Sequence, residues 1–446
     1  MKPVFGGARH RANSFLLFLL VLVSARREGL CAEKPAIDSR KLDNGIVVVC
    51  VHFPASTNVA IFTFLTMGLA ADGLAQAQWS HLVEHLVIRS TIPANSPQAN
   101  AETLPDHMRL DFYGNTTDWR EGLSHHRRWL EGVPFTEANL AAEKPKVIAE
   151  CDFTARNFAT HKFALAAAAQ GFRHDQKRAA LKGDVLKAAL AEIQNYRNTR
   201  LVTSSNTVVC VVGGVEPAKV WPAAADAFGK IKSSSSSASP LKVHTGNREM
   251  TWDLDARHLV LLCPIPSAQD ETYPALFAAA QWLNMQFFGD QEIKKLTGMA
   301  LAGADLATPE GNYFYLSASL RPEGSFSNVQ ARIEHHLRRL SSSGADLALL
   351  PMLGKQLADS LTNLPDLALL KKQLPPQMTA AMLEMNIGLQ WGMNEFRYGR
   401  HKAELANRLA GLKIERVRQA AQSHLTASKC AVITLQPAGR DAMSPR

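Results

Sequence analysis

No two cysteines in this chain stand in a CxxC pair, so the sequence offers no thiolate cage for zinc. Of the six cysteines, Cys50, Cys210, Cys263 and Cys430 sit inside apolar, strand-like runs, and Cys151 lies in a helical region. That placement predicts buried core thiols in preference to a disulfide framework. Past the first thirty residues no apolar run reaches the ~20 residues that a helical membrane span requires, which excludes a transmembrane span in the mature chain. Concentrated basic charge is also lacking. Lys and Arg outnumber Asp and Glu by 49 to 40, for a formal net charge of +9. The densest groups, Arg127-Arg128, Lys294-Lys295 and Lys371-Lys372, are nevertheless short and scattered. A nucleic-acid binder gathers its charge into a stripe interleaved with aromatic residues, so nucleic acid is not the expected partner. The excess reads as a solvated surface that favours acidic peptides or envelope surfaces.

What is present begins with the N-terminus. Lys2, Arg9 and Arg11 precede the apolar run Phe15 to Val23, which has the length of a signal-peptide core. Small residues at Ser24-Ala25 and at Cys31-Ala32 offer two cleavage positions, and residues 1–32 are read as a leader directing export to the periplasm or beyond the cell.

The remaining chain is long enough for several buried cores. Gly45 to Val51 and Val59 to Leu65 read as buried strands, with a turn at Pro54-Ala55-Ser56. Helices are expected over Ala75 to Ile88, about Thr136 to Phe153, Ala164 to Gln170 and Val185 to Tyr196, before a strand at Thr207 to Gly214. A serine-rich stretch at 232–243 has the composition of a flexible linker. After it the outline repeats: a strand at His258 to Cys263, a long helix at Tyr273 to Phe288, a helix around Ile414 to His424 and a strand at Cys430 to Leu435. The expected fold class is therefore α+β. It comprises two homologous domains, 33–231 and 244–446, each a mixed or antiparallel sheet packed against helices.

The chemistry is concentrated in His81-Leu82-Val83-Glu84-His85, an H-x-x-E-H motif. Helix positions four apart share a face, so both imidazoles reach one ion, and Glu84 projects beside it as a general base. Zinc lowers the pKa of a bound water towards ~7, which makes hydroxide available near neutral pH. Two histidines leave such a site short of one protein ligand, and a carboxylate has to complete it.

With these residues the chain resembles the pitrilysin/insulinase family, which includes the mitochondrial processing peptidases and short bacterial relatives. That family carries the inverted motif after two strands, then supplies a third ligand from a downstream helix in a pattern like E-R-x-V-I-x-x-E. Glu143-Lys144-Pro145-Lys146-Val147-Ile148-Ala149-Glu150 matches it. The resemblance implies Zn2+ as cofactor, Glu150 as third ligand and Glu143 as a carboxylate backing the ligands; Pro145 is unusual here and is expected to kink the helix. A family segment like G-x-x-N-A-x-T is matched to Phe112-Tyr113-Gly114-Asn115-Thr116-Thr117-Asp118, with Thr116 where Ala is usual, which implies a substrate contact for Asn115, an Asn after Gly in a turn being the equal alternative. Ser204 to Pro217, with Asn206, resembles a structural strand of the family's first domain.

The sequence also departs from the family. Gln78-Trp79-Ser80-His81 replaces the usual G-x-A-H, and Ile293 to Leu301 replaces L-R-E-K-x-G-L-A-Y, so that Lys294 stands for Arg and Leu301 for Tyr in the substrate-binding pair. Short family members pair two chains around a chamber. The resemblance thus implies a zinc metalloendopeptidase acting on peptides, as a hetero- or homodimer whose partner chain supplies the missing Arg and Tyr. The alternative is a weak or inactive member serving as a scaffold or binding subunit.

Overall fold

The computed structural model describes residues 35–93, 96–174, 176–201, 207–232, 246–308, 311–342, 345–372, 374–376 and 378–439. The leader, Asn206 and all of the linker except Lys232 lie outside the described residues.

Twelve strands form two six-stranded sheets among the described residues. In chain order they are β1 (Ala36–Lys41), β2 (Val47–His52), β3 (Asn58–Leu65), β4 (Ala99–Thr103), β5 (Met108–Asn115) and β6 (Arg178–Ala179), followed by β7 (Val208–Gly213), β8 (Gly246–Trp252), β9 (Arg257–Ile265), β10 (Thr297–Thr308), β11 (Gly311–Leu320) and β12 (Ala431–Pro437). The first sheet runs β1-β2-β7-β3-β5-β4, and the second, read from its far edge, runs β6-β8-β12-β9-β11-β10. Apart from the edge strands β1 and β6, whose directions differ, these are one plan. In each sheet a parallel pair (β2 with β7, β8 with β12) lies beside an antiparallel one (β7 with β3, β12 with β9). The fold class is α+β with a repeated sheet, as expected. The central strands read as unbroken Val/Ile/Leu runs because both of their faces are covered.

The halves are interlocked. β6, from the first half, pairs with β8 in the second sheet. The helix Ala380–Tyr398, from the second half, lies on the first sheet, where Trp391 joins Val49, Phe62, Phe64 and Val212 in one buried cluster. It approaches so closely that a Cβ on Gly388 would stand 2.3 Å from Val212 Cγ2, and one on Gly392 would stand 2.7 Å from Phe64 Cε2. Reciprocally, the alanine-rich helix His161–His174, from the first half, packs on the second sheet in a cluster with Trp252, Leu262 and Ile433.

Several expectations need correction. Cys263 and Cys430 form a disulfide, whereas Cys50, Cys151 and Cys210 are free and buried. The register that sets Leu262 opposite Ala431 brings the two neighbouring sulfurs together, a proximity invisible along the chain. The single helix expected over Val185 to Tyr196 is two, Leu181–Lys187 and Leu190–Arg200, because Ala188 leaves the helical conformation, Ala189 is extended and the Glu192 carboxylate accepts the Ala189 N–H to start the second. The motif helix starts at Trp79 and not at Ala75, since Ala75 and Gln78 have positive φ. Pro145 leaves Glu137–Arg156 as one helix; it is exposed, so water reaches the carbonyl that its missing N–H leaves unbonded. Among the described residues no helix is long and apolar enough to cross a membrane.

Candidate metal centre

The motif helix Trp79–Arg89 buries Leu82, Val83, Leu86 and Val87 in the core of the first sheet. That anchor turns His81, Glu84 and His85 to the opposite side, towards the helix Glu137–Arg156 and edge strand β4. Trp79 fixes the start of the helix, donating its Nε1–H to Asp184 O at 3.1 Å and meeting Tyr196 edge to face. Beside it Ser80 Oγ donates to the buried Asp72 carboxylate, which Tyr196 also contacts.

Glu150 comes from the facing helix. Its Oε2 is 3.3 Å from His81 Nε2 and its Oε1 is 3.7 Å from His85 Nε2. His81, His85 and Glu150 each offer a donor atom within 4.8 Å of the others and could hold a metal ion. Tetrahedral zinc with bonds of ~2.0–2.2 Å places its ligand atoms about 3.3–3.6 Å apart; the Glu150–His81 spacing of 3.3 Å falls in that range and the Glu150–His85 spacing of 3.7 Å lies just beyond it. Each histidine is also tied at its other nitrogen: His81 Nδ1 to Gln78 Oε1 at 3.1 Å, and His85 Nδ1 to Glu143 Oε2 at 3.0 Å. Such bonds aim Nε2 at the centre and select the tautomer whose Nε2 lone pair is free. Glu143 is itself held by Arg89 and Lys146. Glu84, 6% exposed, accepts a hydrogen bond of 2.6 Å from Thr103 Oγ1 of β4, which fixes its carboxylate beside the pair of imidazoles.

The electrostatics suit a cation. Burial lowers the His81 pKa below that of a free imidazole despite Glu150 and Glu84, which favours the neutral ring. At His85 burial is outweighed by Glu143, Glu84 and Glu150, and the pKa rises. Burial would raise both carboxyls, but bonds from His85, Lys146 and Arg89 hold Glu143 at about 2, and the neighbouring His81, His85 and Lys162 hold Glu150 at about 2.

The structure brings His81, Glu84, His85, Glu143 and Glu150 to one open cleft, and leaves two expected residues out of its lining. Asn115 ends β5, exposed, and its backbone N–H donates to Asp118 Oδ2 in a turn. Lys294 is exposed near the end of the short helix Gln291–Leu296, with Nζ 4.5 Å over the Phe288 ring. Leu301 lies on β10, and Gly298 is required because a Cβ there would meet the Phe158 ring at 2.2 Å. Lining residues that the sequence reading missed are Asn100 and Lys162. Asn100-Ala101-Glu102-Thr103 spells N-A-x-T more literally than the segment at Asn115, which was the available signal. Lys162 starts the helix His161–His174 and lies 5.3 Å over the ring of Phe163, which neighbours His81; nothing local in the sequence marks it.

Residues 187–355 match the family described as Peptidase M16 inactive domain, a stretch that begins downstream of the inverted motif and Glu150. No curated protein matches the sequence. Among solved structures, a protease from Helicobacter pylori aligns at 17% identity with a TM-score of 0.61, covering 91% of this chain and 100% of that one. The peptidase M16 inactive domain from Pseudomonas fluorescens aligns at 14% identity with a TM-score of 0.62, covering 90% of this chain and 98% of that one. The first half of the periplasmic protease PqqL from Escherichia coli aligns at 14% identity with a TM-score of 0.56, covering 90% of this chain and 92% of that one. The chain therefore has the two-sheet fold of M16-like proteins, and from residue 187 to 355 it also resembles that family in sequence.

Proposed function

We propose that the chain is a zinc-dependent peptidase, His81, His85 and Glu150 holding the ion and Glu84 acting as the general base. The observation that carries this reading is the donor spacing at the three ligands, with Glu84 fixed beside them by Thr103. A bound zinc supplies Lewis acidity, making hydroxide available near neutral pH and polarising a carbonyl. The chain's own residues do the rest. Glu84 takes the proton of the attacking water and returns it to the leaving amine. β4 stands at the edge of its sheet beside the cleft, so its outward backbone N–H and C=O groups are placed to pair with an extended peptide. Asn100 on the same strand offers an amide to that peptide, and Lys162 offers a cation to a carboxylate or a developing oxyanion. Replacing Glu84 with Gln is expected to abolish peptide cleavage while zinc remains bound. Wild-type turnover in that variant would overturn the assignment.

Export through the leader at 1–32 belongs to this reading. So does a hetero- or homodimer in which a partner chain supplies Arg and Tyr, because Lys294 and Leu301 lie outside the cleft lining. Mixing the purified chain with a candidate partner should raise cleavage well above that of the chain alone. The same displacement of Lys294 favours a second reading, a scaffold or binding subunit without turnover. Zinc-loaded chain that cleaves no peptide, with or without a partner, would establish that reading instead.

A further inference from the structure

His81 and His85 are steadied by different means. His85 leans on Glu143 of the facing helix, whereas His81 leans on Gln78, three residues earlier in its own chain. Gln78 is 1% exposed, stands at the N-terminal boundary of the motif helix and has φ 67°. That left-handed backbone suits glycine and strains a residue with a side chain. Glycine is also what the pattern G-x-A-H places at this position. The boundary position would suit a capping role, but the Gln78 side chain makes no capping hydrogen bond to the helix. Its Oε1 instead lies 3.1 Å from His81 Nδ1 and 3.8 Å from Cys151 Sγ, the residue after Glu150. With Nδ1–H donating to that oxygen, the lone pair of Nε2 faces Glu150.

We infer that Gln78 is a positioning residue, held in a strained glycine conformation so that its amide oxygen fixes the ring and tautomer of His81 for metal binding. The inference rests on the proposed zinc site and adds to it the one contact that the glycine of the pattern could not make.

Two variants of the full chain test it. Gln78→Gly relaxes the backbone but deletes the oxygen, whereas Gln78→Glu keeps an atom that can only accept from Nδ1. The measurements are the zinc dissociation constant, by competition with a chromophoric chelator, and the melting temperature of the metal-free protein. Gln78→Gly is expected to weaken zinc about 10–100-fold while leaving the metal-free melting temperature unchanged or higher. Gln78→Glu is expected to keep wild-type affinity. Wild-type zinc affinity in Gln78→Gly, or an equal loss in both variants, would overturn the inference and leave the zinc site standing. Wild-type chain that binds no zinc would remove the site and the inference together.

Discussion

The imidazoles of His126 and His258 are completely buried away from the cleft, bonded to neutral hydroxyls: His126 to Thr63 at 2.7 Å, and His258 to Thr160 at 2.8 Å and Ser317 at 2.7 Å. Burial, with a smaller contribution from a neighbouring histidine in each case, pushes both pKa values down to about 3. A histidine depressed in the folded state contributes stability above its unfolded pKa and loses it as pH falls. Between pH 6.5 and pH 3 the unfolded chain takes up protons that the folded chain refuses. Each residue should therefore remove about 1–2 kcal/mol between pH 7 and pH 5. Urea titrations at the two pH values check this, and replacing His126 or His258 with Asn should flatten the difference. Equal midpoints at both pH values in the wild type would contradict it. At this scale the sequence was legible where the geometry is local. His81, Glu84 and His85 share a helix face through spacing alone. Asn115 lies outside the cleft lining because it ends β5 opposite Asn58 of β3, beyond the stretch that pairs with β4, and Lys162 reaches the cleft only through the packing of a distant helix.

Among elements, the five strands expected, β2, β3, β7, β9 and β12, were read nearly to their ends, because apolar runs bounded by turn residues are a local signal; the other seven strands were not read, several of them edge strands with mixed polar and apolar residues. Pairing between strands was missed as well. The Cys263–Cys430 bond closes a separation of 167 residues and ties β9 to β12 at the middle of the second sheet. A cross-link over so long a loop restricts the unfolded chain, so replacing both cysteines with Ala should cost about 2–5 kcal/mol in denaturant unfolding. A double variant as stable as the wild type would mean that the strands need no tie. Helix Ala380–Tyr398 is held to the first sheet by a smooth glycine face, and Arg397 on it pairs with Asp106 at 3.3 Å and with Asp305 of β10. A Gly388→Ala substitution forces a methyl against Val212 and should cost about 1–3 kcal/mol by overpacking. Thermal melts of that variant give the comparison, and an unchanged melting temperature would contradict the packing.

At the scale of the whole molecule, the repeated sheet order was visible in outline from the recurrence of strand, helix and final strand. The exchange of β6 and of two helices between halves was not, since hydrophobic pattern says that a face is covered but not by which element. The exchange makes each half depend on the other. Residues 35–231 expressed alone should expose the sheet face that Trp391 and its helix cover, and should fail to give a cooperative unfolding transition. A stable, cooperatively folding fragment would refute the dependence. The centre itself joins a motif helix and a Glu150 helix within that frame, in what we propose is one zinc site. The direct measurement is zinc per chain in purified wild type and in His85→Ala, after incubation with zinc and removal of excess. One zinc per wild-type chain is expected, and essentially none in the variant. Wild-type chain that stays metal-free, or a variant that retains a full equivalent, would contradict it.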